Sequence, residues 1–477
     1  MERTDQGALT DENIRNIFRD ADDFIARPIQ CGQWTVWFYA IDGITASGDA
    51  SDYVVKPLSH LKADSLASLY SQALNGMVYN SVTDACADLD TVALKLVNGF
   101  CVVLFPGIGA IACEVKTSEK RGLSAPEVEN TVKGPKDAFV ETNRSNTGLI
   151  RRHLRSPELR IFETQVGKRS LTNVSVVWLE GITNPELVQR MKDRLATIDI
   201  DGMISPSSVE EYVTGSRRTA FPLLQYTQRT DRFCQGILDG RVGLFVDGLP
   251  MGYLAPVNLG VLMESPEDRG RDYISASCIR VLRYAALVLS LLLPGFYIAM
   301  TTFHQEMIPM TMLRAIIESK QSVPFTTAVE VLALLIAFEL LQESGIHLPQ
   351  AIGQAVSIIG GIVVGTSAVE AKLISPAALI VVSIAGVCGF VQPNRDLAEA
   401  ARVWRFGIGV LGAVGGLVGV TLGAVALAIH LSGLESLGVA YLAPFSEGTA
   451  PGLLRDRLKN QKFRTSDWNP LDGRNQR

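Results

Sequence analysis

In this 477-residue chain the residues placed to do chemistry are two carboxylates, Glu330 and Glu339, set inside the apolar run Phe325–Leu341. A carboxylate in a membrane-length apolar segment is costly to bury and marks a functional site by default. Nine residues at about 100° each put the pair on opposite faces of one helix, so they cannot line one pore wall together. Each also lies within about two turns of an end of the run, where pairing with a neighbouring helix explains it equally well. A second constellation is small and polar: Gln354, Ser357, Gly361, Gly365 and Ala368 recur every three or four residues on an Ile/Val-rich segment. That stripe either lets two backbones approach closely or faces water in a channel; in a ring of identical subunits it would line the axis. A third constellation is glycine alone. Gly412, Gly415, Gly416, Gly419 and Gly423 give overlapping G-x-x-x-G spacings, a signal for close helix contact.

Nothing in the chain reads as catalytic machinery. No Walker A loop, G-x-S-x-G elbow or H-E-x-x-H motif occurs, and the five histidines (His60, His153, His304, His347, His430) do not cluster. The seven cysteines are scattered without a C-x-x-C pair, which fits reduced thiols and neither a zinc site nor a disulfide framework. No cofactor or metal is expected. The net charge is -5 and there is no basic arm, so nucleic acid is not an expected partner.

The elements that must position these residues fall into two unlike halves. From Arg280 to Leu431 the chain breaks into about five apolar runs, each of roughly the 20 residues that cross a bilayer as a helix. They are 281–303, 325–341, 348–369, 374–391 and 404–431. Residues 272–432 therefore predict a multi-span, all-α transmembrane domain. Pro294-Gly295 predicts a kink in the first span, and Met310–Ile317 an amphipathic piece at the lipid interface. Arg269, Arg271, Arg280 and Arg283 at the mouth of the first run place what precedes it in the cytoplasm by the positive-inside rule. No secretory signal opens the chain.

The first half predicts a flexible lead over 1–30 and two α+β lobes, the first with its linker over 31–140 and the second over 141–271. Strands are expected at Gln33–Ile41, Phe100–Phe105, Gly109–Val115, Leu159–Val166 and Thr172–Leu179, with helices at Thr142–Arg155 and Pro185–Ile198. The connector Lys120–Phe139 has no period and reads first as a solvated link. The tail is 433–477. Charge leaves one conflict: the loop Pro393–Arg405 and the tail after Arg455 are both basic, yet one complete span would put them on opposite faces. Either the glycine-rich run does not simply cross, or Leu434–Phe445 returns through part of the membrane, or the tail breaks the rule.

Several long motifs carry a resemblance. TTFHQEMIP (Thr301–Pro309), VPF (Val323–Phe325), LPQAIGQAVSIIGGIVVG (Leu348–Gly365), AVEAKLISPA (Ala368–Ala377) and YLAPFS (Tyr441–Ser446) lie in the second half. PEVENTVKGPKDAF (Pro126–Phe139), TNRSNTGLIRRHLRSPEL (Thr142–Leu159) and ESPED (Glu264–Asp268) lie in the first. Over about residues 31–455 the chain resembles GerA-type spore-germination proteins, and among them the A subunit of the nutrient germinant receptor. The segment GFVQPNR (Gly389–Arg395) and the tail after Gly448 depart from that pattern.

The resemblance implies a bilobed α+β cytoplasmic domain before the membrane domain and residence in the inner membrane of a bacterial endospore. It implies a transporter-like B subunit and a lipoprotein C subunit as partners. It also implies a ring-shaped homo-oligomer among membrane lipids that conducts monovalent cations when germinant binds. It gives weight to Glu127, Glu129, Gly134 and Pro135 in the connector, and to His304, Gln305 and Glu306 after the first span. The other reading the residues allow is a secondary transporter, with Glu330 and Glu339 coupling ions and Pro294-Gly295 marking a broken helix. A plain membrane anchor for a cytoplasmic adaptor is the third.

Overall fold

The computed structural model describes residues 8–116, 129, 134–203, 205–215, 219–346 and 365–443. Its first sheet has the order β1-β2-β4-β5-β3, with β1 (Phe24–Cys31), β2 (Trp34–Ile41), β3 (Thr83–Cys86), β4 (Phe100–Phe105) and β5 (Gly109–Glu114), all pairs antiparallel. Side chains alternate across a strand, and here both faces are buried. Val36, Phe38 and Ala40 enter one core with Val103 and Phe105, while Tyr39 and Ile41 enter the other with Val102 and Leu104. Helix α1 (Leu89–Val97) covers the second face.

The sheet takes in residues expected to be a flexible lead. A helix at Asp11–Ile17 buries Ile14, and β1 pairs along its whole length from Phe24↔Ile41 to Cys31↔Trp34. The irregular alternation of FIARPIQC hid this strand, and Pro28 is tolerated in it because β1 is an edge.

The second sheet repeats the order, β6-β7-β9-β10-β8, with β6 (Leu159–Val166), β7 (Thr172–Leu179), β8 (Gln225–Thr227), β9 (Val242–Val246) and β10 (Gly252–Ala255). Helix α2 (Asn143–His153) and helix α4 (Thr230–Leu238) close one face; α3 (Pro185–Ala196), capped by the Asn184 side chain with proline at its first position, closes the other. The two sheets meet where Gly43 lies against Gly148: a Cβ on Gly148 would fall 2.5 Å from the Gly43 carbonyl oxygen. Beside that contact Arg151 grips the buried Asp23 with two bonds of 2.7 and 2.8 Å.

A helical part follows. It comprises α5 (Tyr273–Thr302), α6 (Met310–Lys320), α7 (Thr327–Ile346), α8 (Pro376–Phe390) and α9 (Arg395–Ser432). Two of these, α5 and α9, are long and apolar enough to cross a membrane by length and composition. The fifth predicted run is not one straight rod. Gly416 leaves the helix at φ 59°, and the chain doubles back there. Trp404 and His430 would stand about 39 Å apart along a continuous helix, yet their rings are 5.4 Å apart. Gly423 faces Ile408 and Leu411, and a Cβ on Gly419 would collide with the Leu411 carbonyl. Thus α9 is a hairpin of two close-packed arms. Helix α5 continues through Pro294, and Gly295 rests on Ile408 of the hairpin, where an added Cβ would lie 3.1 Å from its carbonyl oxygen.

Past the hairpin, the short ribbon β11 (Glu435–Ser436) and β12 (Val439–Ala440) returns to the second α+β lobe. Ser436 Oγ donates to Leu223 O at 2.7 Å and accepts from Val257 N at 3.0 Å, Arg190 reaches Leu437 O at 3.0 Å, and Tyr441 is wholly buried.

Candidate functional site: the ion-paired junction between the lobes and the helices

The connector ends on the second lobe. Glu129 bonds both Thr227 and Arg232, and Arg229 donates to the carbonyls of Glu129 (3.3 Å) and Pro135 (3.1 Å). Arg229 is 2% exposed and forked onto Asp231 at 3.0 and 2.9 Å. From there the contacts run toward the helices. Arg232 donates to Glu264 O at 3.1 Å, and the Glu264 carboxylate pairs with Arg280 of α5 at 3.1 Å. One turn on, Arg283 binds Met263 O at 3.0 Å and the Asp268 carboxylate at 2.5 and 2.8 Å. Asp268 is held in place because it also closes the Ser265 capping box.

Arg280 and Arg283 were read in sequence only as charges at a membrane mouth. Both are in fact buried, with 6% exposure each. A buried guanidinium is tolerated when it is paired and its donors are used, so these side chains tie α5 rigidly to the ESPED turn. Arg405, placed in a basic loop by its sequence, is likewise buried. It lies between the Ala385 carbonyl (3.3 Å) and Ser290 (3.5 Å), with no carboxylate within ion-pair distance among the described residues.

At the edge of the junction Asp137 accepts from Thr230 at 2.7 Å and contacts His153 at 2.6 Å. Burial alone would push its carboxyl up, but the bonds from Thr230 and His153 win and hold it below the ordinary carboxylate value.

The two carboxylates and the small-residue stripes are dispersed. The Glu330 side chain accepts from Ser375 N (3.1 Å) and Oγ (2.7 Å) at the N-terminus of α8, and Lys320 of α6 stands 3.6 Å away. Glu339 pairs with Arg402 of the hairpin at 2.7 Å. The two do not meet. Of the polar stripe, Gly365 lies beside Leu379 and the Ala368 carbonyl accepts from Leu373 N, while Gln354, Ser357 and Gly361 lie outside the described residues. Gly412, Gly416, Gly419 and Gly423 are buried in the hairpin; Gly415 faces open space.

His304 packs against the hairpin tip at Gly416, Gln305 donates to Thr301 O at 2.9 Å, and Glu306 is exposed. In the connector Gly134 and Pro135 are described and Glu127 is not. Arg229, Arg232, Asp268 and Ser375 were missed as site residues. Asp268 and Ser375 lay inside quoted motifs, ESPED and AVEAKLISPA, whereas nothing in the sequence marked Arg229 or Arg232.

Comparison with known proteins gives a consistent result. The family model described as Bacillus/Clostridium GerA spore germination protein matches residues 12–470. An uncharacterized membrane protein, YfkQ, of Bacillus subtilis (strain 168) is 31% identical over 460 residues, 96% of this chain and 88% of that one. Spore germination protein A1 of the same organism is 34% identical over 372 residues, covering 77% of each. Spore germination protein KA is 31% identical over 94% of this chain and 82% of its own. Among solved structures, the N-terminal domain of the A subunit of the Bacillus megaterium germinant receptor GerK3 aligns at TM-score 0.41 and 22% identity, over 53% of this chain and 98% of that one.

Proposed function

Because the chain belongs to the GerA family of spore germination proteins, we propose that it is the A subunit of a nutrient germinant receptor in the spore inner membrane. Its α+β lobes lie in the cytoplasm and its helices span the bilayer. Copies assemble into a ring that opens to monovalent cations, and B and C subunits complete the receptor. The observation that supports a signalling subunit over a plain anchor is the run of polar contacts from Glu129 to Arg232, from Arg232 to the Glu264 carbonyl and from the Glu264 carboxylate to the buried Arg280, reinforced by the buried pair Asp268–Arg283. A loose anchor has no need of buried charges at its neck, since they are costly unless their geometry is held. A hairpin that enters and returns keeps both of its flanks on one side, which supports a shared side for the loop Pro393–Arg405 and the tail.

The test is the full-length protein purified in detergent and reconstituted in liposomes. The expected result is a particle of several copies with a potassium flux that responds to partner subunits. A monomer that carries no ion current overturns the proposal. Solute uptake lost in Glu339→Gln, without channel-like flux, would favour the transporter instead.

A further inference from the structure

Between the two α+β lobes lies a cleft of about 210 Å³, smaller than the roughly 300–1,000 Å³ of pockets for drug-sized ligands. Its walls come from both lobes: Ile44, Val97, Asn98 and Lys116 on one side, Arg152 and Arg155 on the other. Three cations thus line a space suited to a handful of atoms. Their existing partners leave most of that charge unspent. Lys116 meets Glu114 at 2.6 Å, the single carboxylate paired with any of the three among the described residues. Arg155 uses Nη1 on the Asn98 side-chain oxygen and Nε on the Arg152 carbonyl, both at 3.2 Å. Arg152 makes no ion pair or side-chain hydrogen bond among the described residues, although it is partly buried. The carbonyl end of α1 is already served, since Asn98 Nδ2 donates to Leu94 O at 2.7 Å. A planar guanidinium fork with free donors is the side chain best matched to phosphate oxygens.

We propose that this cleft binds a small soluble phosphate dianion, bridging Lys116 of the first lobe and Arg152 and Arg155 of the second. A ligand held by both lobes stabilises their closed seam at Gly43–Gly148, so occupancy raises the stability of the folded form by mass action. The site is separate from the ion-paired junction and from the helices, and its test does not depend on any transport activity.

The experiment titrates inorganic phosphate into the full-length protein in detergent, at ionic strength held constant with sodium chloride. Binding is read by the melting temperature and by broadening of the phosphorus resonance of phosphate. The expected result is a saturable rise in melting temperature with matching line broadening. Arg152→Gln should weaken the affinity roughly tenfold or more, the value of one lost charge-assisted bond, and Arg152→Lys less. Lys168→Gln, at an exposed pair remote from the cleft, should bind like the wild type. Circular dichroism establishes that each variant is folded. Absence of saturable binding to the wild type overturns the proposal, as does equal affinity in Arg152→Gln and Lys168→Gln. A response to vesicles bearing phosphatidic acid but not to free phosphate overturns it in favour of a lipid headgroup.

Discussion

Buried charge decides which side chains matter most. Arg283 and Asp268 exchange two bonds at 8% and 2% side-chain exposure. Removing one partner strands the other, which costs about 3–5 kcal/mol in buried pairs, whereas replacing both with apolar groups is close to neutral. Arg283→Met is therefore expected to lower the melting temperature markedly, and the double substitution Arg283→Met with Asp268→Leu to recover most of it. Asp137 gives a pH-dependent counterpart. Its folded carboxyl sits below its ordinary value, so the unfolded chain binds the proton more readily. Its contribution is present above the ordinary carboxylate range and is lost as pH falls through the folded value. Unfolding between about pH 5 and pH 2 should show a shallower loss of stability on acidification for Asp137→Asn than for the wild type. Parallel curves would remove that role.

Among the elements, the glycine hairpin is sensitive to substitution at particular positions and indifferent at others. Gly416 adopts φ 59° with His304 and Phe303 close by, and Gly419 leaves no room for a Cβ beside the Leu411 carbonyl. Alanine at either position adds strain or overlap of about 1–3 kcal/mol. Gly415 has nothing within 4 Å of an added Cβ, so alanine there is expected to be nearly silent. Thermal melts of the three variants in one detergent check the ranking; equal effects at 415 and 419 would show the arms are not in contact. The glycine spacing was legible in the sequence as a close-contact signal. Its partner was not, because a G-x-x-x-G pattern is the same whether the facing helix belongs to another element or to its own returning arm.

For the whole molecule, the return of the chain at Ser436 and Tyr441 onto the second lobe predicts a shared side. In a background lacking the exposed Cys278, cysteines placed at Glu435 and at Asp49 should react with an impermeant label from the same face of sealed vesicles. A cysteine at Glu318, on the exposed helix α6, should react from the opposite face. Labelling of 435 and 318 from the same face would overturn this arrangement.

How much was legible follows from the range of the interactions involved. Local pattern located β2, β4, β5, β6 and β7, the capped helix at Pro185 and the motifs of the family, but not β1, β3 or β8, because periodicity, caps and turns act within a few residues. The chain by itself also placed Glu330 and Glu339 on separate faces, and they bond to separate helices. Tertiary structure alone decided the rest. It buried Arg280 and Arg283, read in the sequence as charges at a membrane mouth, and Arg405, read as part of a basic loop, folded the supposed lead into a strand, and reversed the final apolar run at Gly416. Each of those outcomes depends on a partner far away in sequence, and a residue's type and neighbours carry no record of that partner.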